Sequence, residues 1–386
     1  MKTLKIYLTL FLLSLFVLFS CISDDKPMIE TIISIDLSNN EQLKLSQVFR
    51  DKIEYIALES PEEHLFKETS KVEIYNNLIL IADYYTTSSL FVFNREGRFI
   101  SQISPQGWGP CKDETLEDFY FDESNQEIGL FSHSGKLVIY DIIGNELRQK
   151  SLGVRAGKYQ LMGDKIFLSG MDSDHWLHIL HCNGTEVGKF IPVDNKIGLG
   201  FGPYNSFSGT KDSVLFLPSL HQVIYCYTNG RVFPKYVIDF GQHNVPNQVW
   251  ETSKNFDDYI IQCQENHYAW QINYFFETKG YLHFYYRFDK KSYFAFYNRA
   301  TKEIYNSCDV LNDIDGIDYW GAMGQIEDGI IYARYPYYIK KNLEHIKSIL
   351  STEEWVEFQS KNKELCEIGI RAKNADNPIL IIYTYK

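Results

Sequence analysis

The fold is decided by the stretch Phe91-Val92-Phe93-Asn94-Arg95-Glu96-Gly97, in which an apolar strand end runs into a tight turn closed by glycine. The arrangement recurs in four later segments: Val138-Ile139-Tyr140-Asp141 with Gly144, Ile179-Leu180-His181 with Gly184, Tyr225-Cys226-Tyr227 with Gly230, and more weakly Phe296-Tyr297-Asn298 with Thr301. Self-similarity at a regular period indicates a chain built from repeated structural units.

The spacing of these turns identifies the unit. Their closing residues are 47, 40, 46 and 71 positions apart, and roughly 40 to 50 residues are usual for one four-stranded propeller blade. The 28 Tyr and 26 Phe agree, because aromatic side chains favour strands with a packed face. With the terminal strands as a further unit, we predict an all-β fold: a six-bladed β-propeller of four-stranded blades, forming a single domain over residues 31–386.

A propeller closes by pairing its two chain ends within one blade. The apolar segment 379–383 lies at the C-terminal end, and segments 53–58 and 31–37 are the two candidates for its N-terminal partner. Apolar residues at helical spacing predict helical insertions at about 242–270, before blade five, and at about 337–366, a helical pair within blade six. In the second insertion, Ser351-Thr352-Glu353-Glu354 has the spacing of a capping box.

The N-terminal segment has the features of an export signal. Lys2 and Lys5 precede the apolar run 6–19, which is shorter than the about 20 apolar residues of a spanning helix. A plain membrane anchor and an ordinary signal peptide are the alternatives. However, Leu18-Phe19-Ser20-Cys21 resembles the bacterial lipoprotein signal, which implies removal of residues 1–20 and membrane attachment through a lipid on Cys21.

Two carboxylates follow this cysteine, in a tether over residues 21–30. Asp24 and Asp25 resemble the acidic tag that directs lipoproteins of Bacteroidetes-type bacteria to the outer face of the outer membrane. The resemblance implies exposure at the cell surface, with the periplasmic face as the alternative. A solvated linker of ordinary composition is a second explanation for these residues.

The net charge excludes one class of partner. It is −12 for the whole chain, and removing the two positive charges of Lys2 and Lys5 gives −14 for the predicted mature chain. Nucleic-acid binding needs clustered Lys and Arg to meet phosphates. We therefore expect no nucleic-acid partner.

The cysteines indicate neither a disulfide framework nor a metal site. Besides Cys21 the chain has Cys111, Cys182, Cys226, Cys263, Cys308 and Cys366. Six residues allow three disulfides in an exported protein, but their scattered positions, partly inside strands, favour buried free thiols. No pair has zinc-ligand spacing, so we expect no metal and no cofactor.

A family resemblance covers nearly the whole mature chain. Residues 91–100, followed by Gly107-Trp108-Gly109-Pro110, resemble the NHL-type repeat. The segments Ile53-Glu54-Tyr55-Ile56-Ala57-Leu58-Glu59 and Asp376-Asn377-Pro378-Ile379-Leu380 are similar to the six-bladed β-propeller lipoproteins of Bacteroidetes. Cys111 and Thr301 stand where the repeat usually has glycine. The resemblance implies a fold and a cell-envelope location rather than an activity.

Aromatic residues near predicted loops are the candidate ligand-binding residues. Propellers bind ligands at one mouth of the central channel, and flat aromatic faces suit sugars and peptide side chains. The candidates are Trp108, Trp176, Trp320, the pair Tyr84 and Tyr85, and the adjacent rim carboxylate Asp83. The alternative interpretation is that these aromatic residues pack in the seams between blades.

The histidine cluster does not predict a metal site. On a strand His175 and His181 share one face while His178 points to the other, so three ligands do not converge. We interpret them as polar residues of a half-exposed strand.

Two functions are compatible with these patterns. The first is a non-catalytic surface module that binds a glycan, a peptide or a partner protein. The second, implied by likeness to NHL-type lyases and lactonases, is an exported metal-dependent lyase or hydrolase with its site at the channel mouth. A structural subunit of an outer-membrane complex is a third, weaker possibility.

Overall fold

The structure is a computed structural model that describes residues 31–38, 41–105, 114–170, 174–193, 205–210 and 212–386. The predicted signal peptide and tether over residues 1–30 lie outside these residues, as do Trp108 and Cys111. The described residues contain these strands: β1 (Thr31–Ser34), β2 (Leu43–Lys44), β3 (Phe49–Ala57), β4 (Lys71–Ile74), β5 (Leu78–Asp83), β6 (Ser89–Asn94), β7 (Phe99–Ile103), β8 (Leu116–Asp122), β9 (Glu127–Ser132), β10 (Lys136–Asp141), β11 (Glu146–Ser151), β12 (Ala156–Met162), β13 (Lys165–Gly170), β14 (His175–His181), β15 (Glu186–Pro192), β16 (Phe207–Gly209), β17 (Val214–Phe216), β18 (Val223–Thr228), β19 (Arg231–Asp239), β20 (Trp270–Glu277), β21 (Tyr281–Phe288), β22 (Lys291–Asn298), β23 (Ile304–Ser307), β24 (Val310–Leu311), β25 (Gly324–Ile326), β26 (Gly329–Arg334) and β27 (Ile379–Tyr385).

Most strands belong to antiparallel sheets of four, which we number along the chain. Sheets 1, 2 and 3 contain β4–β7, β8–β11 and β12–β15, sheet 4 contains β16–β19, sheet 5 contains β20–β23, and sheet 6 has the order β25-β26-β27-β3. Strand β1 adds to sheet 4 in parallel beside β19, and β2 pairs with β24. The fold is therefore all-β, with the strands grouped as the turn spacing predicts.

Sheet 6 pairs the C-terminal strand with a strand from the N-terminal part of the described chain. Strand β27 pairs antiparallel with β3, so that Ile379 lies opposite Ala57 and Tyr383 lies opposite Ile53. Of the two candidate N-terminal partners, segment 53–58 thus supplies this strand. The other candidate pairs elsewhere, since its residues 31–34 extend sheet 4.

Buried apolar clusters lie between consecutive sheets. Such clusters join sheets 1 and 2, 2 and 3, 3 and 4, 4 and 5, and 5 and 6. A further cluster joins sheet 6 to sheet 1 and contains Ile56, Val72, Ile331 and Leu380. Each sheet therefore packs on both faces, which explains why inner strands such as β5 and β9 are buried on both sides.

Two helical segments interrupt the strands. The first contains α1 (Asn247–Thr252) and α2 (Phe256–Glu265), where a helical insertion at about 242–270 was expected. The second contains α3 (Pro336–Ile349), α4 (Thr352–Lys361) and α5 (Lys363–Arg371), three helices instead of the predicted pair, because the chain turns at Asn362. The capping box is confirmed: Ser351 caps α4, and Glu354 bonds back to it. No helix in the described part of the chain is long and apolar enough to cross a membrane.

None of the five described cysteines forms a disulfide, as predicted, but only three of them are buried as expected. Cys226, Cys263 and Cys366 are buried, and Cys182 is exposed. Burial raises the pKa of Cys263 to about 12, so this thiol stays protonated and unreactive at neutral pH.

A buried histidine in sheet 5 should make stability depend on pH. The Nδ1–H of His283 donates to the Ala295 carbonyl at 3.0 Å, and Nε2 accepts from the Tyr319 hydroxyl at 3.2 Å. Burial lowers the pKa of His283 from 6.5 to about 4. The unfolded chain therefore binds the proton more readily, so stability is lost as pH falls from 6.5 toward 4, by about 3 kcal/mol at the end of that window.

Urea unfolding at pH 7 and at pH 4.5 measures this loss, with His283→Gln as the variant that does not titrate. The variant should lose less stability between the two pH values than the wild type. Equal losses in both proteins would contradict the assignment.

Candidate functional site

The first strands of the six sheets surround one cavity of about 220 Å³. Residues of β4, β8, β12, β16, β20 and β25, or directly preceding them, line it. Its charged residues are Lys71 and Glu73 on β4, Asp118 on β8, and Lys158 on β12. The cavity is therefore polar and draws on every sheet.

Asp118 is the buried centre of this cavity, with only 2% of its surface exposed. Its Oδ1 accepts hydrogen bonds from Lys71 Nζ at 2.9 Å and from the Tyr84 hydroxyl at 3.0 Å, and its Oδ2 accepts from the Tyr159 backbone N–H at 2.9 Å. Burial opposes its charge, but the ammonium groups of Lys71 and Lys158 outweigh burial and lower the pKa of Asp118. The carboxylate thus connects sheets 1, 2 and 3 and stays ionised.

Each hydrogen-bond donor of the Lys71 ammonium has an acceptor nearby. This ammonium lies 2.9 Å from Asp118 Oδ1, 2.9 Å from Glu73 Oε1 and 3.3 Å from the Phe119 carbonyl. Burial disfavours the charge, yet the two carboxylates prevail and raise the pKa of Lys71. Since an ammonium has three donors, these contacts use all of them.

Lys158 is the second cation of the cavity and is bound differently. Its Nζ donates to the Glu117 carbonyl at 3.1 Å and lies 4.2 Å from the centre of the Tyr84 ring. Within the described residues no carboxylate oxygen comes within 4.0 Å of it. Burial lowers the pKa of Lys158. This direction is expected of a partly desolvated ammonium that has no paired carboxylate.

A wide basin of about 1220 Å³ opens beside the cavity. It is lined by the turns that follow first strands, with residues such as Asn76, Asn125, Gly163, Thr210 and Glu327. Glu73, Tyr75 and Gln160 line both spaces. The basin and the cavity therefore adjoin each other.

This basin lies on one face of the molecule, which we call the turn face. Because strands alternate in direction within each sheet, connections after second and fourth strands lie on the opposite side. Both helical segments, residues 247–265 and 336–371, are such connections. We call that side the helix face.

Three of the predicted ligand-binding residues lie where β5 ends on the helix face. Asp83 is the last residue of β5, and Tyr84 and Tyr85 follow it. Asp83 is buried, with Oδ1 accepting from the Thr86 N–H at 2.8 Å and Oδ2 lacking a hydrogen-bond partner among the described residues. Tyr84 reaches inward to Asp118, whereas Tyr85 is 63% exposed. Only Tyr84 thus contacts the polar cavity groups.

The two predicted tryptophans that the structure describes are not brought together with the polar groups of the cavity. Trp176 is 2% exposed and packs in the cluster between sheets 3 and 4. Trp320 is 69% exposed, and its ring lies under the Arg334 guanidinium, which also contacts the Tyr338 ring. Trp108 lies outside the described residues. The proposed role of all six residues in ligand binding stays a prediction.

The histidine strand differs from the expectation. His178 is buried rather than a surface residue of a half-exposed strand, because β14 packs against neighbouring sheets on both faces. His181 contacts Asp164 at 2.8 Å. Within the described ranges, no three His, Cys, Asp or Glu side chains are grouped as metal ligands.

Sequence reasoning missed Lys71, Asp118 and Lys158. The available signal was a charged residue inside the first strand of a repeat unit, as in Lys71-Val72-Glu73-Ile74 and Leu116-Glu117-Asp118-Phe119. Charged residues within a strand are also typical of solvent-facing positions, so the strand pattern alone does not distinguish cavity-lining from solvent-exposed residues.

Four-stranded antiparallel sheets with a polar cavity between their first strands define an all-β, propeller-like protein. The chain belongs to the family described as "Domain of unknown function (DUF4934)", whose model matches residues 30–384. No curated protein matches the sequence.

One solved structure shares this fold at low identity, and others resemble it more distantly. A Bacteroides fragilis protein described as exported is 20% identical, with a TM-score of 0.74 over 92% of this chain and 100% of that one. BamB from Moraxella catarrhalis is 12% identical, with a TM-score of 0.41 over 72% of each chain. The Neurospora crassa Pan2 WD40 domain is 8% identical, with a TM-score of 0.40 over 68% of this chain and 71% of that one.

Proposed function

We propose that this protein is a non-catalytic binding module whose ligand, a glycan, peptide or partner protein, enters through the turn-face basin. The observation that carries this proposal is that the basin adjoins the polar cavity, with Glu73, Tyr75 and Gln160 in the lining of both. A concave site with a few convergent polar groups is typical of ligand pockets. Its carboxylates are already held by neighbouring donors, an arrangement that suits recognition.

The scaffold of this module is a closed six-bladed propeller, with sheets 1 to 6 as its blades. The apolar cluster between sheets 6 and 1 supports closure, as does the pairing of β27 with β3. A closed ring leaves no long sheet edge for aggregation. It also holds the six cavity-lining strands in fixed positions, which preorganises the site.

A matched pair of tryptophan substitutions tests the binding proposal. Asn76 is an exposed basin residue, and Asn374 is an exposed residue preceding β27 on the helix face. The wild type should retain a member of an immobilised panel of glycans and peptides. Asn76→Trp should weaken that binding at least tenfold by narrowing the basin, and Asn374→Trp should leave it unchanged.

Two outcomes count against this proposal. One is a panel in which the wild type retains nothing, and the other is equal weakening by both substitutions. A stoichiometric, tightly held transition metal in the purified mature protein would instead favour the metal-dependent lyase or hydrolase.

The module is anchored to the outer membrane through a lipid on Cys21 and faces the cell surface. The signal-like segment before Cys21 and the acidic pair Asp24 and Asp25 support this location. The structurally similar Bacteroides fragilis protein, described as exported, agrees with it. The negative net charge of this chain disfavours nucleic acid as a partner.

Membrane fractionation of Cys21→Ala tests the anchor. The variant should leave the membrane fraction and keep its unprocessed leader, because both lipidation and cleavage depend on this thiol. Cys182→Ala, which changes an exposed described cysteine, is the control and should remain membrane-bound. Membrane attachment and normal processing of Cys21→Ala would overturn the assignment.

A further inference from the structure

Within the part of the chain that the structure describes, Lys158 is the cavity cation whose donors are not all matched by acceptors. An ammonium offers three N–H donors, and one of them meets the Glu117 carbonyl. The Lys158 ammonium also lies over the Tyr84 ring. This contact is electrostatic and supplies no hydrogen-bond acceptor. By contrast, Lys71 in the same cavity has an acceptor for each donor.

A second polar group in the cavity lining also lacks a partner. Ser206, on the segment leading into β16, is 1% exposed, and its hydroxyl makes no hydrogen bond to any described residue. Leaving a buried hydroxyl unsatisfied is costly. Lys158, with donors that no described residue accepts, is the group of this lining that a bound anion with several oxygens would satisfy, and the Ser206 hydroxyl lies buried behind the same lining.

The charges of the basin limit the kind of ligand to which this anionic group can belong. Its lining includes the exposed carboxylates of Glu123 and Glu327 and the carboxylate of Asp122, while its cation Arg95 is paired with Glu54 at 2.9 Å. A chain with many negative charges would be repelled by this lining. A ligand that is neutral or basic along its length and negative only at its end fits both regions.

We propose that the cavity binds the C-terminal carboxylate of a peptide, with Lys158 as its cationic partner and the peptide body lying in the acidic basin. Capture of a chain-end carboxylate by converging donors is a recurrent mode of peptide recognition. This assignment rests on the proposed binding function and specifies its ligand class.

Two peptide pools test the assignment on the wild-type protein. Both contain the acetylated pentapeptide Lys-Gly-Lys-X-X, randomised at its last two positions, with free carboxylates in one pool and C-terminal amides in the other. Affinity-selection mass spectrometry should retain acid peptides at least tenfold better than their amides. Lys158→Met should abolish this preference. Lys189→Met, which removes an exposed lysine from the outermost strand of the same sheet, should preserve it.

Several results would overturn the assignment. These are equal retention of acids and amides, no retention of either pool, or an acid preference that survives Lys158→Met. A fourth is binding of the acidic oligosaccharide trigalacturonate that is lost in Lys158→Met while no peptide acid binds. The acid-to-amide comparison uses unmodified protein, so it holds even if Lys158→Met misfolds. If a panel ligand is still lost in Asn76→Trp while the pools show no preference, the binding function stands and only the peptide assignment fails.

Discussion

Deletion of residues 379–386 should leave a chain that does not fold cooperatively. Strand β27 lies between β26 and β3 and buries six large side chains, Ile379, Leu380, Ile381, Ile382, Tyr383 and Tyr385. Burial of each contributes about 1.5–3 kcal/mol, so their sum reaches the whole stability of about 5–15 kcal/mol of a typical domain. The deletion also leaves β3 without its partner strand and exposes the cluster shared with sheet 1.

Deletion of the other terminal strand is the matched control. Residues 31–34 form β1, at the edge of sheet 4, and bury only Ile33 fully. Removing them should cost about 1.5–3 kcal/mol and leave a single unfolding transition in urea, followed by tryptophan fluorescence. If the chain without β27 unfolds with a comparable transition, sheet 6 does not hold the two ends together as described.

The repeat that predicts the fold corresponds to one particular turn. In sheets 1 to 4 it joins the third and fourth strands, with φ of +81° at Gly97, +95° at Gly144, +89° at Gly184 and +77° at Gly230. Only glycine adopts such backbone readily, which is why the motif is visible in the sequence. In sheet 5 the same turn places Lys302 at φ +67°, so the motif weakens there.

Sheet 6 has no such turn, for a physical reason. Its third and fourth strands are β27 and β3, which come from opposite ends of the chain and have no connecting loop. The motif therefore marks five units, and the sixth was inferable only from terminal apolar segments. Nothing local distinguishes segment 53–58 from 31–37 as the partner of β27, because the choice depends on packing against sheets 5 and 1.

The site was less predictable than the fold because its contacts join separate repeats. Asp118, Lys71 and Lys158 come from three sheets, so no spacing in the sequence encodes their proximity. Aromatic residues were favoured as ligand contacts by their chemistry. Trp176 is instead buried, since each sheet is covered on both faces and consumes aromatic side chains between sheets.

Replacement of Asp118 by alanine should cost about 3–5 kcal/mol, the usual range when one partner of a buried ion pair is removed. Lys71 would lose its buried partner, and the Tyr84 hydroxyl and the Tyr159 N–H would lose their acceptor. Urea unfolding at pH 7 measures the loss. Glu127→Ala, which breaks the exposed pair with Arg148, is the control and should cost about 1 kcal/mol or less.

The pH dependence of this loss distinguishes charge from shape. The pKa of Asp118 is lower in the folded chain than its ordinary 3.8, because Lys71 and Lys158 outweigh burial. Its contribution is therefore complete above pH 3.8 and is lost as pH falls through the lower, folded-state pKa. Asp118→Asn keeps the shape without the charge, so its deficit against the wild type should be constant from pH 7 to pH 5 and shrink below pH 3.8. A deficit that persists at low pH would mean that packing, and not the ion pair with Lys71, makes this residue important.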